Sequence, residues 1–385
     1  MHNRPAYILP LIVFAQFAGT SLWFAGNAIL GDLVAEGNHL SIGWITSMVQ
    51  FGFISGTLLF AIFSVADRFS PSKVFLASSF LAAIANIMVI PFAGSEIAVA
   101  GCRFVTGFFL AGIYPVGMKI ASDWFHNSLG HALGFLLAAL VLGTGFPHLL
   151  KAGYFDLEWK TILICISCLA VIGGLIIAFV VKDGPHSGAR KKGRIEPGFL
   201  AMFREKTFRK VAFGYFGHMW ELYAFWAFIP TILLLYGLSP DLVPLWSFII
   251  IAVGAIGCIV GGYASLRIGN ARVAFMALLI SGVCCLGSGL FFRLDESIFL
   301  LLMMTWGLAV ITDSPQFSTM VAKTAPPQLK GTALSIVTSI GFAITIGSIS
   351  LLETIIRNGL LPAEWCYLVL LPGPVSGLIA MRKLR

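Results

Sequence analysis

The stretch RFVTGFFLAGIYPVGMK, residues 103–119, has a counterpart further along the chain, MMTWGLAVITDSPQFST, residues 303–319. Gly107 and Pro115 fall opposite Gly307 and Pro315, both at an offset of 200. Each segment, with its flanks, is an apolar run longer than the roughly 20 helical residues that cross a bilayer. Neighbouring landmarks keep the spacing and the order. Arg68 and Arg267 are offset by 199, and GHAL at Gly130 and GTAL at Gly331 by 201. A near-constant offset over half the chain reads as a duplicated unit.

The composition agrees with a chain dissolved in lipid. Of 385 residues, 58% are hydrophobic and 11% charged, and mean hydropathy is +0.93. A soluble domain carries about 25% charged residues, so this chain has too few to cover a water-soluble globule. The 33 Phe and 41 Gly fit the same reading, because Gly is frequent in membrane helices. The seven cysteines lie in or beside apolar runs. Cys165 and Cys168 form a CxxC without a second pair or a nearby His, so they read as small packing residues rather than metal ligands. The N-terminal run stays apolar to Leu30, too long for a signal-peptide core, and reads as a retained first helix.

Counting apolar runs gives twelve spans. The first six cover 8–30, 41–63, 73–93, 97–122, 130–150 and 159–181. The second six cover 211–236, 245–266, 273–292, 297–322, 331–352 and 365–381. The polar stretch 182–210 separates two six-helix bundles, 1–181 and 211–385. Its basic run GARKKGR reads as a topogenic, headgroup-facing loop rather than a nucleic-acid patch.

Lys and Arg collect on one side of the membrane. With a cytoplasmic N-terminus, the inner segments hold 19 of them and the outer loops 4, while Arg103 and Lys119 lie inside the fourth span. The excess places both termini and the central loop in the cytoplasm of a multi-pass inner-membrane protein. The net charge of +8 is therefore a topology signal, not a sign of nucleic acid.

The loop after the second span, VADRFSPSK, and its copy GGYASLRIGNAR resemble the loop motif GxxxDRxGRR of the major facilitator superfamily. Asp67 and Arg68 are in place, whereas Phe63, Ser70 and Pro71 depart from the motif. The copy keeps Gly262, Arg267, Gly269 and Arg272 but has Leu266 in the acid's place. RxxxG at Arg103–Gly107 is similar to a second motif of that family. GTGFPH from Gly143 does not match the family's antiporter signature GPxxGG, so a drug–proton exporter gains no support. The resemblance implies an all-α fold of two pseudo-symmetric six-helix bundles around a central cavity, open alternately to either side. It also implies that Asp67 and Arg68 bind neighbouring helix ends and hold one conformation.

An ionisable group inside a membrane helix is costly, so each is a functional hypothesis. Glu221 sits ten residues into the seventh span, about 15 Å deep at ~1.5 Å per residue. His218 lies one turn before it on the same face, and histidine is the side chain whose charge changes near neutral pH. Gly214, Gly217 and Ala224 share that side, a stripe that faces protein or a water cavity rather than lipid. Glu221 is the first candidate for a proton-carrying or substrate-contacting group; the alternative is a structural carboxylate bonded to a neighbouring helix. Arg103 stays charged at any depth, and so needs a carboxylate, carbonyls or an anionic substrate. Tyr114 lies on nearly its face. Asp313 and Gln316 share a face about Pro315, and Pro115 and Pro315 are expected to break their spans and free backbone groups to line a cavity.

Asn27, Gln50, Trp23 and Trp226 are further candidate lining. Lys119 is expected to snorkel or to pair with Asp123, and His148 to face an interface. Gly52xxxGly56 and Gly257xxxGly261 read as close-packing faces.

No nucleotide-binding loop, metal-ligand cluster or catalytic triad is legible, and neither cofactor nor enzymatic activity is expected. The reading is a secondary transporter, monomeric and driven by protons in the sense that an ion gradient must supply the energy, moving a small polar or anionic solute. A non-transporting sensor on the same fold and a membrane-embedded enzyme are the alternatives. The short central loop carries no output domain, which counts against the first, and the second would need its ionisable groups clustered at one depth.

Overall fold

A computed structural model describes residues 5–37, 39–125, 129–153, 157–187, 199–326 and 329–384, without the side chains of Asp67, Leu129, His131 and residues 199–201. Arg4, Arg385 and the linker residues 188–198, which entered the charge count, lie outside the described residues. The chain divides into two compact units, Met1–Ile195 and Glu196–Arg385.

Among the described residues there are helices and the turns that join them, and no strands. The first unit holds α1 (Ile8–Thr20), α2 (Ala25–Ala28), α3 (Leu30–Ala35), α4 (Ile42–Ile62), α5 (Val65–Arg68), α6 (Pro71–Ile87), α7 (Glu96–Leu110), α8 (Tyr114–Trp124), α9 (Leu129–Lys151) and α10 (Trp159–Leu175). The second holds α11 (Lys206–Tyr236), α12 (Val243–Ile268), α13 (Asn270–Phe291), α14 (Glu296–Thr312), α15 (Ser314–Thr324), α16 (Lys330–Arg357) and α17 (Pro372–Met381). Ten helical stretches are long and apolar enough to cross a membrane, and Ile8–Thr20 and Pro71–Ile87 are shorter apolar helices. The outward side chains are apolar as well: Ile97 is 85% exposed and Leu266 82%. Such a surface is stable against lipid, not water.

The duplication is visible in the packing. In the first unit α4 presses on α7 so closely that a Cβ on Gly107 would land on the Val49 carbonyl, and one on Gly52 on the Phe104 carbonyl. In the second unit α12 meets α14 in the same way, and a Cβ on Gly307 would land on the Ile250 carbonyl. Small residues allow backbones this close because membrane helices associate through packing rather than through the hydrophobic effect. Gly107→Leu and Gly307→Leu should each cost about 3 kcal/mol, the upper range for overpacking. Gly101→Leu, where the space is open, serves as the control in unfolding measurements in detergent. An equal loss in all three variants would contradict the close approach.

Several spans are interrupted among the described residues; in the twelfth a 3-10 helix, Ala363–Leu370, gives way to α17 at Leu371. The fourth breaks at 111–113, ahead of Pro115, and the tenth at Asp313, ahead of Pro315, because a proline cannot donate to the preceding turn. The first span was expected to run unbroken from 8 to 30. Instead it breaks at 21–24. Thr20 and Ser21 turn their hydroxyls back to the carbonyls of Gln16 and Ala18, a bond that bends helices. The seventh span begins at Lys206, inside the stretch read as linker, with the Glu205 side chain accepting from the Thr207 amide.

Candidate functional site

Glu221 is the central residue of the 31-residue α11 and is fully enclosed. Its carboxylate accepts two hydrogen bonds, from Ser281 Oγ on α13 at 2.5 Å and from Trp306 Nε1 on α14 at 2.7 Å. One turn earlier, His218 Nδ1 lies 2.8 Å from Asp313 Oδ1. Asp313 stands in the break between α14 and α15, where the interrupted helix turns its side chain to α11. The imidazole rests between the rings of Tyr215 and Phe317, with centroids 5.8 and 5.9 Å away. His218 Nε2 has no hydrogen-bond partner among the described residues. Two carboxyls and one imidazole thus share a water-poor interior, where charge is costly and changes only by moving protons.

Gln316, one turn after Asp313, meets a different helix: its Oε1 accepts from Asn270 Nδ2 at 2.7 Å, at the start of α13. Trp226 is enclosed and packs on Tyr223, 5.5 Å between centroids. Tyr223 is itself buried against Phe342, 5.0 Å between centroids.

Arg103 anchors a second polar network, within the first unit. The side chain has no exposure. Nη2 donates to the carbonyls of Leu22 at 2.9 Å and Trp23 at 2.6 Å, and Nη1 to Asn86 Oδ1 at 3.0 Å. The two carbonyls are those freed by the break in the first span. Asn86 in turn donates to Ser167 Oγ at 3.0 Å and the Leu163 carbonyl at 3.3 Å. Backbone acceptors at membrane depth need a donor from the protein, and Arg103 supplies it. Nearby on α2 and α4, Asn27 donates to Thr46 Oγ1 at 2.7 Å. Gln50 is enclosed, and neither of its amide atoms has a partner among the described residues. Trp23 lies tilted against Phe53, 4.9 Å between centroids, and Phe53 lies 6.5 Å from Tyr114.

His148 was expected at an interface but is buried. The helix continues past it to Lys151, whose ammonium bonds both oxygens of Asp32, at 2.6 and 2.7 Å.

The loop motif is held by residues outside it. Lys119 donates to the Ala66 carbonyl rather than only snorkelling. Asp183 Oδ1 accepts from the Ser72 amide at 2.8 Å, capping the start of α6. The Asp67 side chain lies outside the described residues, and Arg68 is exposed. In the second copy Arg267 is exposed, Gly262 faces open space, and Gly269 adopts φ 89° between α12 and α13.

The site also contains residues that sequence reasoning did not single out: Ser281, Trp306, Asn86, Ser167 and Asn270. Asn86 could have been found, since an amide inside a span is itself a signal. Ser281 and Trp306 carry no such mark, because both residue types are common in membrane helices. Among the described residues no group of His, Cys, Asp and Glu could hold a metal ion.

The model of the Major Facilitator Superfamily matches residues 6–348. A protein of Cupriavidus necator named as a probable sulfoacetate transporter, SauU, is 25% identical over 248 residues, 57% of this chain and 56% of its own length. The chain thus spans little more than half of that relative. An uncharacterised protein of Campylobacter jejuni is 25% identical over 283 residues, 71% of this chain and 86% of its own. Among solved structures, a bacterial homologue of the human lysosomal transporter Spinster shares the fold, with a TM-score of 0.65 at 15% identity, over 99% of this chain and 95% of that one.

Proposed function

Because the chain belongs to the Major Facilitator Superfamily, a family of multi-pass membrane transporters, we propose that it is a proton-coupled secondary transporter that moves a small anionic solute across the inner membrane by alternating access. The observation that carries this reading is the enclosed group of Glu221, His218 and Asp313 in the second unit. Such groups are expensive in a membrane protein and are placed where charge must be exchanged. Protonation of the cluster changes which hydrogen bonds α11 makes to α13, α14 and the break at Asp313. That is a local switch able to bias two conformations, with proton release on the far side completing the cycle. The two halves, 1–181 and 211–385, act as the moving bodies, as nested repeats do in this superfamily. Both termini and the central linker face the cytoplasm, on the strength of the Lys and Arg count.

Anionic solutes are favoured by the relative named as a probable sulfoacetate transporter. In this reading Arg103 serves the scaffold first, with three of its N–H donors on Asn86 and two carbonyls, while its Nε has no partner among the described residues. The amides of Gln50 and Asn27, beside Trp23 and Tyr114, supply neutral donors instead, and amide donors bind oxyanions well in a low dielectric.

A thermal-stability screen of the purified protein against short sulfonates and carboxylates tests the solute class. A bound member should stabilise in proportion to the logarithm of its concentration, by about 2.7 kcal/mol at one hundred times Kd. Stabilisation by cationic or neutral solutes alone would overturn the anionic assignment.

A further inference from the structure

Residues Arg272, Phe275, Met276 and Leu279 recur at i, i+3, i+4 and i+7 of α13 and so form one stripe along it. With Ile268 at the end of α12 they line a groove of about 470 Å³. Met276 and Leu279 are exposed, so the groove opens outward from its unit. In a membrane protein that outward face meets lipid.

Arg272 is the one charged residue that lines the groove, and two further cations lie near its end. Arg272 is exposed at its upper end, close to the start of α13. Lys323 places its ammonium 3.2 Å from Asn270 Oδ1, two residues before Arg272. Arg267, one residue before Ile268, is also exposed. None of these cations belongs to the polar cluster around Glu221. An apolar channel running about 10 Å along the helix from Arg272 to Leu279, at ~1.5 Å per residue, sits beneath these cations. Basic groups at a membrane boundary recognise acidic headgroups, and the apolar stripe accommodates the upper part of an acyl chain.

We infer that this groove is a binding site for one anionic phospholipid, with its phosphate on Arg272 and an acyl chain laid over Phe275, Met276 and Leu279. A zwitterionic lipid presents the same phosphate but adds an ammonium group that these cations repel. Selectivity for net negative headgroups follows from that charge.

The test is native mass spectrometry of the full-length protein released from nanodiscs made of equal parts phosphatidylglycerol and phosphatidylcholine. The wild type should retain phosphatidylglycerol in preference. Arg272→Gln should lower that retention about fivefold, the effect of one basic residue at a membrane surface, while phosphatidylcholine retention stays unchanged. Arg272→Lys should keep most of it. Met276→Trp, which fills the groove and leaves the cations in place, should lower phosphatidylglycerol retention as well, and free glycerol phosphate should not displace the lipid. Both positions are exposed, so the variants should elute as the wild type does. Equal retention of the two lipids by the wild type, or unchanged preference in both Arg272→Gln and Met276→Trp, would overturn the site.

Discussion

Glu221→Gln is expected to abolish accumulation driven by a pH gradient while leaving exchange of solute across the membrane within about twofold of wild type. The substitution preserves the shape of the side chain and leaves an oxygen to accept from Trp306 or Ser281. What it removes is the exchangeable proton. For one coupled proton, each unit of pH difference supports about a tenfold solute ratio, since 1.4 kcal/mol is a factor of ten. The variant should hold that ratio at one. Exchange, which requires the conformational change but no net proton movement, should persist. Undiminished accumulation in the variant would remove Glu221 from the coupling mechanism, and loss of both activities with a lowered melting temperature would make it a structural carboxylate.

Arg103→Ala is expected to leave little folded protein. The change strands three buried acceptors: the carbonyls of Leu22 and Trp23 and the Asn86 side-chain oxygen. An unsatisfied buried group costs about 1–3 kcal/mol, so the three together rival a typical total stability of about 5–15 kcal/mol. Arg103→Lys, which brings three donors on a shorter reach, should recover part of the yield. The measurement is folded yield and melting temperature in detergent. An arginine whose role was to bind solute would behave otherwise: Arg103→Ala would then fold normally and lose only binding. That outcome would return Arg103 to the solute site.

The contrast between these two residues follows from the duplication. Met303 stands at the position equivalent to Arg103, and Ile113 at that equivalent to Asp313, both at the offset of 200. The repeat preserves the scaffold, with Gly107 and Gly307 against equivalent carbonyls and each proline after a break. It does not preserve the polar groups. One unit uses a buried cation to close a broken helix, and the other buries carboxyls and an imidazole.

The spans were legible because lipid demands that each crossing satisfy its own backbone, and an apolar run of sufficient length is the direct consequence. The breaks before Pro115 and Pro315 were legible for the same local reason. The break at 21–24 was not. Its sequence, SLWF, contains neither glycine nor proline, and the group that stabilises the open carbonyls lies some eighty residues away at Arg103. A non-local donor leaves no local mark. Glu221 and Asp313 could be picked out by the cost of their burial, and His218 by its spacing from Glu221. Their pairing could not: nothing in the sequence says that His218 meets Asp313 while Glu221 takes Ser281 and Trp306.

The central claim is that proton movement drives solute movement. The most direct measurement is solute accumulation in proteoliposomes against an imposed pH difference, using an anion identified by thermal stabilisation. The internal concentration should exceed the external one, rise with the size of the gradient and collapse when a protonophore dissipates it. Equilibration to equal concentrations on both sides, at the same rate with or without the gradient, would contradict it.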